Sequence, residues 1–559
     1  MVEHDTILKG FLDHCEKTPD AVWLTQPMGG DEIKTFTFKQ VLEEAQKMAG
    51  YLESKGFEKG SKIAICSKNC AWWIIADIAI WISGHVSVPV YPTLTGDTVS
   101  YILEHSESKL LFVGKLDKKP WDEMKSGVPA DMAKVSFPLK PEGDWGDTWD
   151  DVIGKTEPIK AMVERSADEM ATIIYTSGST GKPKGVMQNF KGLTVPTQGM
   201  VKLYNVNAKD RYLSYLPLSH GMERWLGECL PMYCGEKVWY ADSLTTFVAD
   251  LVRAKPTLFM SVPRLWTKFN QGVLTKMPEK KLNFLMSIPF IGWLVKRKVL
   301  KGLGLDCVRI AGSGSAPIPQ ELLDWYRRLG LNLLEGYGMT ENFNYSHISM
   351  AGRVRPGYVG EPYADVQHRI SDDGEIQVLS PGIMMGYYKN EEATKETMCD
   401  DGWLRTGDRG EIDEKNRLKI TGRLKEIFKT SKGKYVSPAP IENKLNVSSR
   451  IELSCVSGSG HPQPMAIIQL SEAARKEAGE EKGRTAIEAE LEELMKTVNG
   501  EVDPHEALQL LAIVKDEWQP ENGFLTPTQK IKRGTIEDAY KGKYDEWYGA
   551  KKKVIWYGW

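Results

Sequence analysis

Ten consecutive residues, TSGSTGKPKG (176–185), hold four hydroxyls, three glycines and two lysines. Glycines let backbone N–H groups approach an anion closely, hydroxyls donate hydrogen bonds, and Lys182 and Lys184 supply positive charge. That combination suits a polyphosphate. It is not a Walker A loop, because Gly178 and Gly181 stand too close together and Pro183 follows the lysine. Thr176, Ser177, Gly178, Ser179, Thr180, Gly181 and Lys184 are therefore the candidate phosphate ligands.

The elements that must position this loop read as alternating strands and helices. The apolar run ATIIYT enters the loop. SKIAIC, HVSVPVYP, KLLFVG, DRYLSYLP, KVWYA, PTLFMSVP, CVRIAGSG and LNLLEGYG have the same strand texture. Residues 37–56 have helical periodicity with a glycine stop at 56, and AWWIIADIAIWI (71–82) reads as a buried helix, too short for a bilayer span. The alternation predicts α/β architecture with mostly parallel strands covered by helices, where ligands collect beyond the carboxyl ends of strands. From about residue 365, HRISDDGEIQVLSP and RGEIDEKNRLKITG predict a small β-rich subdomain. After about 425 a mixed charged segment carries its own helix, RTAIEAELEELMKTVNGEV. The boundary falls near GRLKE, giving a large N-terminal domain over 1–424 and a small α+β C-terminal domain over 425–559.

Bulk properties narrow the chemistry. A chain of 559 residues exceeds what one hydrophobic core serves. The formal charge of -3 provides no global basic field for nucleic acid. The eight cysteines include no CxxC pair and the nine histidines no HExxH or HxxxH pattern. A reducing, cytoplasmic setting without a built-in zinc site is expected. The N-terminal stretch lacks the apolar core of a signal peptide.

YTSGSTGKPKG resembles the phosphate loop of the adenylate-forming superfamily: acyl-CoA synthetases, peptide-synthetase adenylation domains and luciferases. Further motifs follow in family order: YLPLSHGMER (215–224), YGMTE (337–341), WLRTGDRG (403–410), GRLKEIFKTSKGKYVSPAPIE (422–442) and LTPTQKIKR (525–533). The resemblance implies ATP as a substrate with Mg²⁺, and each motif has residues suited to a nucleotide. Tyr337, between Gly336 and Gly338, offers an aromatic face for the base, and Thr340 a donor for the α-phosphate. Glu341 is a hard oxygen ligand suited to Mg²⁺. Asp408 can accept both ribose hydroxyls, and Arg423 suits ribose or phosphate. The family places a catalytic lysine at Lys530, a tunnel-gating histidine at His220, a hinge at Lys425 that makes the C-terminal domain mobile, and a loop facing the thiol at Gly433 and Lys434. Many relatives have glycine before the lysine, whereas this chain has Gln529. The implied reaction is adenylation of a carboxylate, followed by transfer to a thiol.

SVPRLWTKF (261–269) and RIAGSGSAPIP (309–319) resemble bacterial long-chain fatty acyl-CoA synthetases, with CoA as the thiol. Gly312 and Gly314 are the candidates for keeping an acyl passage open. A shorter or aryl acid, a carrier-protein thiol and a catalytically inactive binding homologue stay as alternatives. Residues 276–301 alternate basic clusters with an apolar stretch, which fits helices packed on the N-terminal domain or a peripheral membrane contact. The aromatic and basic tail, YDEWYGAKKKVIWYGW, is expected to dock on the C-terminal domain. A homodimer is left open.

Overall fold

The computed structural model describes residues 3–143, 145–176, 182–526 and 529–559. Two large sheets form the N-terminal domain. One has eight strands. Its parallel core runs through Met170–Thr176, Val86–Val90, Lys62–Cys66, Leu110–Val113 and Ala133–Ser136. The other has nine, and its parallel core runs through Lys237–Tyr240, Arg211–Ser214, Leu258–Ser261, Ile310–Ser313 and Leu333–Tyr337. The antiparallel hairpin Val22–Gly29 and Glu32–Thr37 extends the second sheet at one edge.

Local chemistry explains the helices between these strands. Helix Phe38–Ser54 starts at a capping box: Thr37 Oγ1 accepts from Gln40 N–H at 3.2 Å, and Gln40 Oε1 accepts from Thr37 N–H at 2.9 Å. Gly56, at φ +68°, closes its far end. Helix Ala71–Ile82 is apolar almost all round and every residue in it is buried. Its one charged residue, Asp77, pairs with buried Arg224, which also donates to Thr172 and Ser87 on the eight-stranded sheet. Arg224 lies in a continuous helical stretch, residues 221–234, that includes a π-helical turn over Trp225–Cys229.

A four-stranded antiparallel sheet, Gln367–Ile370, Glu375–Leu379, Leu404–Ile412 and Leu418–Arg423, forms the β-rich subdomain. The C-terminal domain is α+β. It pairs Ile451–Ser457 antiparallel with Met465–Leu470, then adds Leu511–Val514 and Val554–Tyr557 in parallel. Helix Glu481–Asn499 packs on this sheet through Ile487, Leu491 and Met495. The tail thus supplies the final strand of the domain. Among the described residues no helix is long and apolar enough to cross a membrane.

Candidate active site

The phosphate-type loop connects two antiparallel strands. Met170–Thr176 and Lys184–Asn189 pair so that Thr176 faces Lys184 and Tyr175 faces Gly185. A Cβ at Gly185 would lie 2.8 Å from Ile173 Cγ2, so the close strand approach requires glycine. Ser177, Gly178, Ser179, Thr180 and Gly181 lie outside the described residues. The flanking lysines rest over aromatic rings, Lys182 over Tyr101 at 5.0 Å and Lys184 over Tyr387 at 4.9 Å.

Strand Leu333–Tyr337 delivers the YGMTE segment beside this hairpin. Gly336, Tyr337 and Gly338 are half-buried and Thr340 is buried. A Cβ on Gly338 would meet the Asn344 carbonyl oxygen at 2.4 Å, so the turn closes only on glycine. Gln188 Nε2, on the strand that leaves the phosphate-type loop, donates to the Thr340 carbonyl and to the Gly382 carbonyl, each at 3.2 Å. This side chain ties the two motifs together. Glu341 is held through both backbone and side chain: its carbonyl accepts from Met384 N–H at 2.7 Å, and its Oε1 accepts from the Tyr387 hydroxyl at 2.7 Å. Nothing in the local sequence spacing marks Tyr387 or Gln188 as supports, because each acts across a long sequence separation.

Asp408 lies opposite Arg423 on neighbouring antiparallel strands. Its Oδ1 is 3.0 Å from Arg423 Nε, and its Oδ2 accepts the Tyr337 hydroxyl at 2.6 Å. The Asp408 carboxylate raises the Arg423 pKa further, while burial and then Asp408 push the Tyr337 phenol well up. A charged pair therefore stands beside a neutral tyrosine.

Lys530 reaches the same cluster from the C-terminal domain. It is open to solvent yet walled by protein, so desolvation lowers its pKa first and Arg423 lowers it further, opposed by Asp408, Glu341 and Glu426. A tight turn presents it: Lys530 N–H donates to Thr526 Oγ1 at 3.1 Å, and Thr526 N–H donates to the Lys530 carbonyl at 2.8 Å. Gln529 takes φ +63° in this turn, the left-handed region where glycine is favoured. Glycine adopts that conformation freely, whereas the glutamine carries a backbone cost. Beyond the turn, Arg533 donates to Glu442 at 2.7 and 2.9 Å, to the Val456 carbonyl at 2.8 Å and to Glu426 at 3.4 Å.

His220 caps the helical stretch that follows it, with Nδ1 accepting from Met222 N–H at 3.1 Å. That bond assigns the proton of the neutral ring to Nε2. Burial, reinforced by the nearby Lys530 charge, pushes its pKa down to about 4, so the ring is neutral near pH 7. Just behind it, Glu223 accepts from Ser214 at 2.7 Å and Tyr212 at 2.8 Å, and burial raises its pKa to about 8.

The structure thus brings Tyr337, Glu341, Asp408, Arg423, Lys530 and His220 within contact or electrostatic reach of one another. It does not gather Gly433 and Lys434, which form an exposed turn whose backbone bonds run to Thr430 within the C-terminal domain. Lys425 sits in the short turn Leu424–Glu426. Gly312 is on strand Ile310–Ser313, but the space a Cβ would take there is filled by the Met260 thioether, with Sδ at 2.1 Å. At Gly314 a Cβ would make only ordinary contacts, 3.5 Å to the Gly336 carbonyl oxygen and 3.8 Å to Met222 Sδ. Met260 is a neighbour that no motif indicated. No group of three or more potential metal ligands among His, Cys, Asp and Glu occurs among the described residues.

Two mostly parallel sheets followed by a small α+β domain define the adenylate-forming fold. The same architecture occurs in the adenylation domain of carboxylic acid reductase from Segniliparus rugosus, at TM-score 0.79, 21% identity and coverage of 98% and 94% of the two chains. It also occurs in the anthranilate CoA ligase AuaEII, at TM-score 0.78, 19% identity and coverage of 98% and 99%. Residues 11–388 match the family model described as AMP-binding enzyme, and residues 425–552 match the AMP-binding enzyme C-terminal domain. The chain belongs to the AMP-binding enzyme family. It is similar to the long-chain-fatty-acid–CoA ligase FadD15 of Mycobacterium tuberculosis, with 29% identity over 98% of each chain. It is also similar to long chain acyl-CoA synthetase 5 of Arabidopsis thaliana, with 29% identity over 93% of this chain and 87% of that one.

Proposed function

We propose that this protein is an AMP-forming fatty acid–CoA ligase acting on long-chain acids. The observation that carries the mechanism is the placement of Lys530, from the C-terminal domain, against Asp408, Glu341 and His220 in one cleft. The long-chain assignment draws on the names of the similar curated proteins.

In the first half-reaction a carboxylate oxygen bonds to the α-phosphorus of ATP as the bridging P–O bond to the β-phosphate breaks, releasing pyrophosphate. Two anions must approach each other. Lys530, Lys182 and Lys184 offset that repulsion by positive charge, which acts most strongly where water is thinned out. Asp408 holds the ribose, Tyr337 lies against the base, and Thr340 donates to the α-phosphate. Glu341 suits Mg²⁺: Tyr387 occupies only Oε1, which leaves Oε2 for a metal shared with the phosphates. The ion, when bound, supplies charge neutralisation on the leaving pyrophosphate. In the second half-reaction the CoA sulfur bonds to the acyl carbon and AMP leaves. That step calls for rotation about Lys425 to withdraw Lys530 and bring the Gly433–Lys434 turn towards the thiol. The domains then divide as 1–424 and 425–559. A neutral His220 suits a gate on the thiol's path because it costs little to move. We assign the protein to the cytoplasm, with a homodimer as the arrangement to test by sedimentation.

The decisive experiment combines purified protein, Mg-ATP and oleate, with and without CoA. Pyrophosphate release without CoA, and oleoyl-CoA with AMP on its addition, is the expected result. Turnover of acetate or benzoate in preference to oleate would overturn the long-chain assignment. Absence of AMP with every acid would overturn the ligase reading.

A further inference from the structure

Residues 276–301 form an outlying pair of helices, Glu279–Ser287 and Ile291–Gly302, joined by a short turn. The inward side is ordinary core. Leu282 is fully buried, and Met286, Val295, Val299 and Leu300 pack on the same cluster as Trp266 and Phe269. The two helices meet closely at Gly292, where a Cβ would lie 2.3 Å from the Met286 carbonyl oxygen. The outward side is unusual. Phe284 is 66% exposed, Phe290 75% and Trp293 55%, with Ile291 and Leu294 nearly half exposed. No other stretch of the described residues gathers so many exposed large apolar side chains.

The turn itself pushes this surface outwards. Phe290 has φ +64°, a left-handed conformation costly for a bulky aromatic residue, and its ring stacks on Trp293 with centroids 6.4 Å apart. Charge surrounds the apolar tip. Lys276, Lys280 and Lys281 lie on one limb, and Lys296, Arg297, Lys298 and Lys301 on the other. Glu279 is the segment's single acid, so the segment carries a formal +6 within a chain of -3. Glu279 is engaged with Arg328. Among the described residues, none of the seven cations forms an ion pair, and Arg297 instead lies over the Trp293 ring at 5.3 Å.

We propose that this hairpin is a docking surface for an anionic phospholipid bilayer, with Phe290, Trp293 and their neighbours entering the headgroup region and the lysine and arginine collar resting on the lipid phosphates. An apolar tip favours insertion, aromatic side chains favour the interface, and unpaired cations are drawn to a negative surface. Few partners meet both demands at once. A protein groove of ordinary composition would satisfy the aromatic tip and leave the collar unpaired. The surface also has a use: helix Pro263–Lys276 runs directly into the hairpin, and its Trp266 donates to the Gly312 carbonyl at 3.1 Å beside the candidate acyl passage. Docking would hold the enzyme against the phase in which long-chain acids dissolve.

The test is co-sedimentation of the full chain with vesicles of phosphatidylcholine alone and of phosphatidylcholine mixed with phosphatidylglycerol. No ATP or fatty acid is present, so the result stands apart from the ligase reading. The wild-type protein should bind the mixed vesicles, and added salt should release it. F290E/W293E should abolish binding. K296Q/R297Q/K298Q should weaken it by roughly 100-fold, about fivefold per charge removed. Thermal unfolding of each variant at the wild-type temperature confirms that the fold is intact. Wild-type protein left in the supernatant, or both variants binding like wild type, overturns the proposal. So does a concentration-dependent dimer that F290E/W293E dissolves, since the hairpin would then be covered by a second copy.

Discussion

Replacing Lys530 by alanine removes one positive charge from a cleft that it shares with Arg423, Asp408, Glu341 and Glu426. A unit charge about 4 Å from a phosphate oxygen interacts by about 4 kcal/mol at a surface-type dielectric and by about 1 kcal/mol in bulk water. Lys530 remains open to solvent, so its contribution lies between these limits. A mid-range value of about 2.7 kcal/mol corresponds to ~100-fold in rate. We expect Lys530→Ala to slow pyrophosphate release from ATP and oleate by about that factor. Thioester formation from supplied oleoyl-AMP and CoA should be nearly unchanged, because no pyrophosphate departs in that step. The two half-reactions are measured separately, with stopped assays for pyrophosphate and for oleoyl-CoA. An equal loss in both would refute the reasoning. The lowered pKa of Lys530 adds a pH signature. The working form is protonated, so adenylation should fall as pH rises through a value below the ordinary lysine pKa. Lys530→Arg, which stays charged, should remove that alkaline limb whatever its effect on the maximum rate.

Lys425→Pro fixes φ at the turn and should spare pyrophosphate exchange while lowering thioester production; normal rates in both assays would place the pivot elsewhere. Along an even-numbered acid series, kcat/KM should climb from C4 towards C12, at about 0.8 kcal/mol per buried methylene, and then flatten. Gly312→Trp must displace Met260 and should cut activity on C16 acids far more than on C6 acids, whereas a uniform loss would point to misfolding. Arg224→Met strips the partner from buried Asp77 and Glu228 and should cost about 3–5 kcal/mol, read as a lowered urea midpoint; an unchanged midpoint would show that both acids are already neutral.

Much of the fold was legible because its signals are local. Phe38–Ser54 carries its start and stop signals within its own sequence, and each parallel strand is a short apolar run ending in small or turn residues. The hairpin Val22–Thr37 gave no comparable signal, because VWLTQPMGGDEIKT mixes polar residues into both strands and its turn glycines look like any loop. The tail, expected to dock on the C-terminal domain, does so as strand Val554–Tyr557, a form its own residues do not signal because the pairing partner lies some forty residues away. The candidate site divides in the same way. Groups that would touch a nucleotide sit in compact motifs, and the resemblance named them. Groups that hold those motifs in place, Gln188 on the Thr340 carbonyl and Tyr387 on Glu341, come from elements whose proximity only the folded chain reveals. Met260 opposite Gly312 is a third such case. A glycine in sequence shows where a side chain is missing and says nothing of what fills the gap.

The bonds made by Arg533 and Arg423 decide where the molecule can bend. Arg423 closes a rung with Asp408, so the chain up to that residue is anchored in the N-terminal sheet. Glu426 is gripped by Arg533, which is itself bolted to Glu442 and the Val456 carbonyl, so the chain from that residue onwards travels with the C-terminal domain. The rotation proposed above would fall on Leu424 and Lys425, which lie between these two anchors. That proposed pivot, Lys425, stands two residues from the arginine that grips Asp408, and a swing about it would leave the Asp408–Arg423 rung standing still. What such a swing must break lies farther out: the Ser437 hydroxyl bond to the Thr421 carbonyl at 2.8 Å, and the Arg264–Glu452 ion pair across the gap between domains. In that proposed motion those two contacts would act as latches. Weakening them would shift how often the door stands open without loosening the hand that holds the nucleotide.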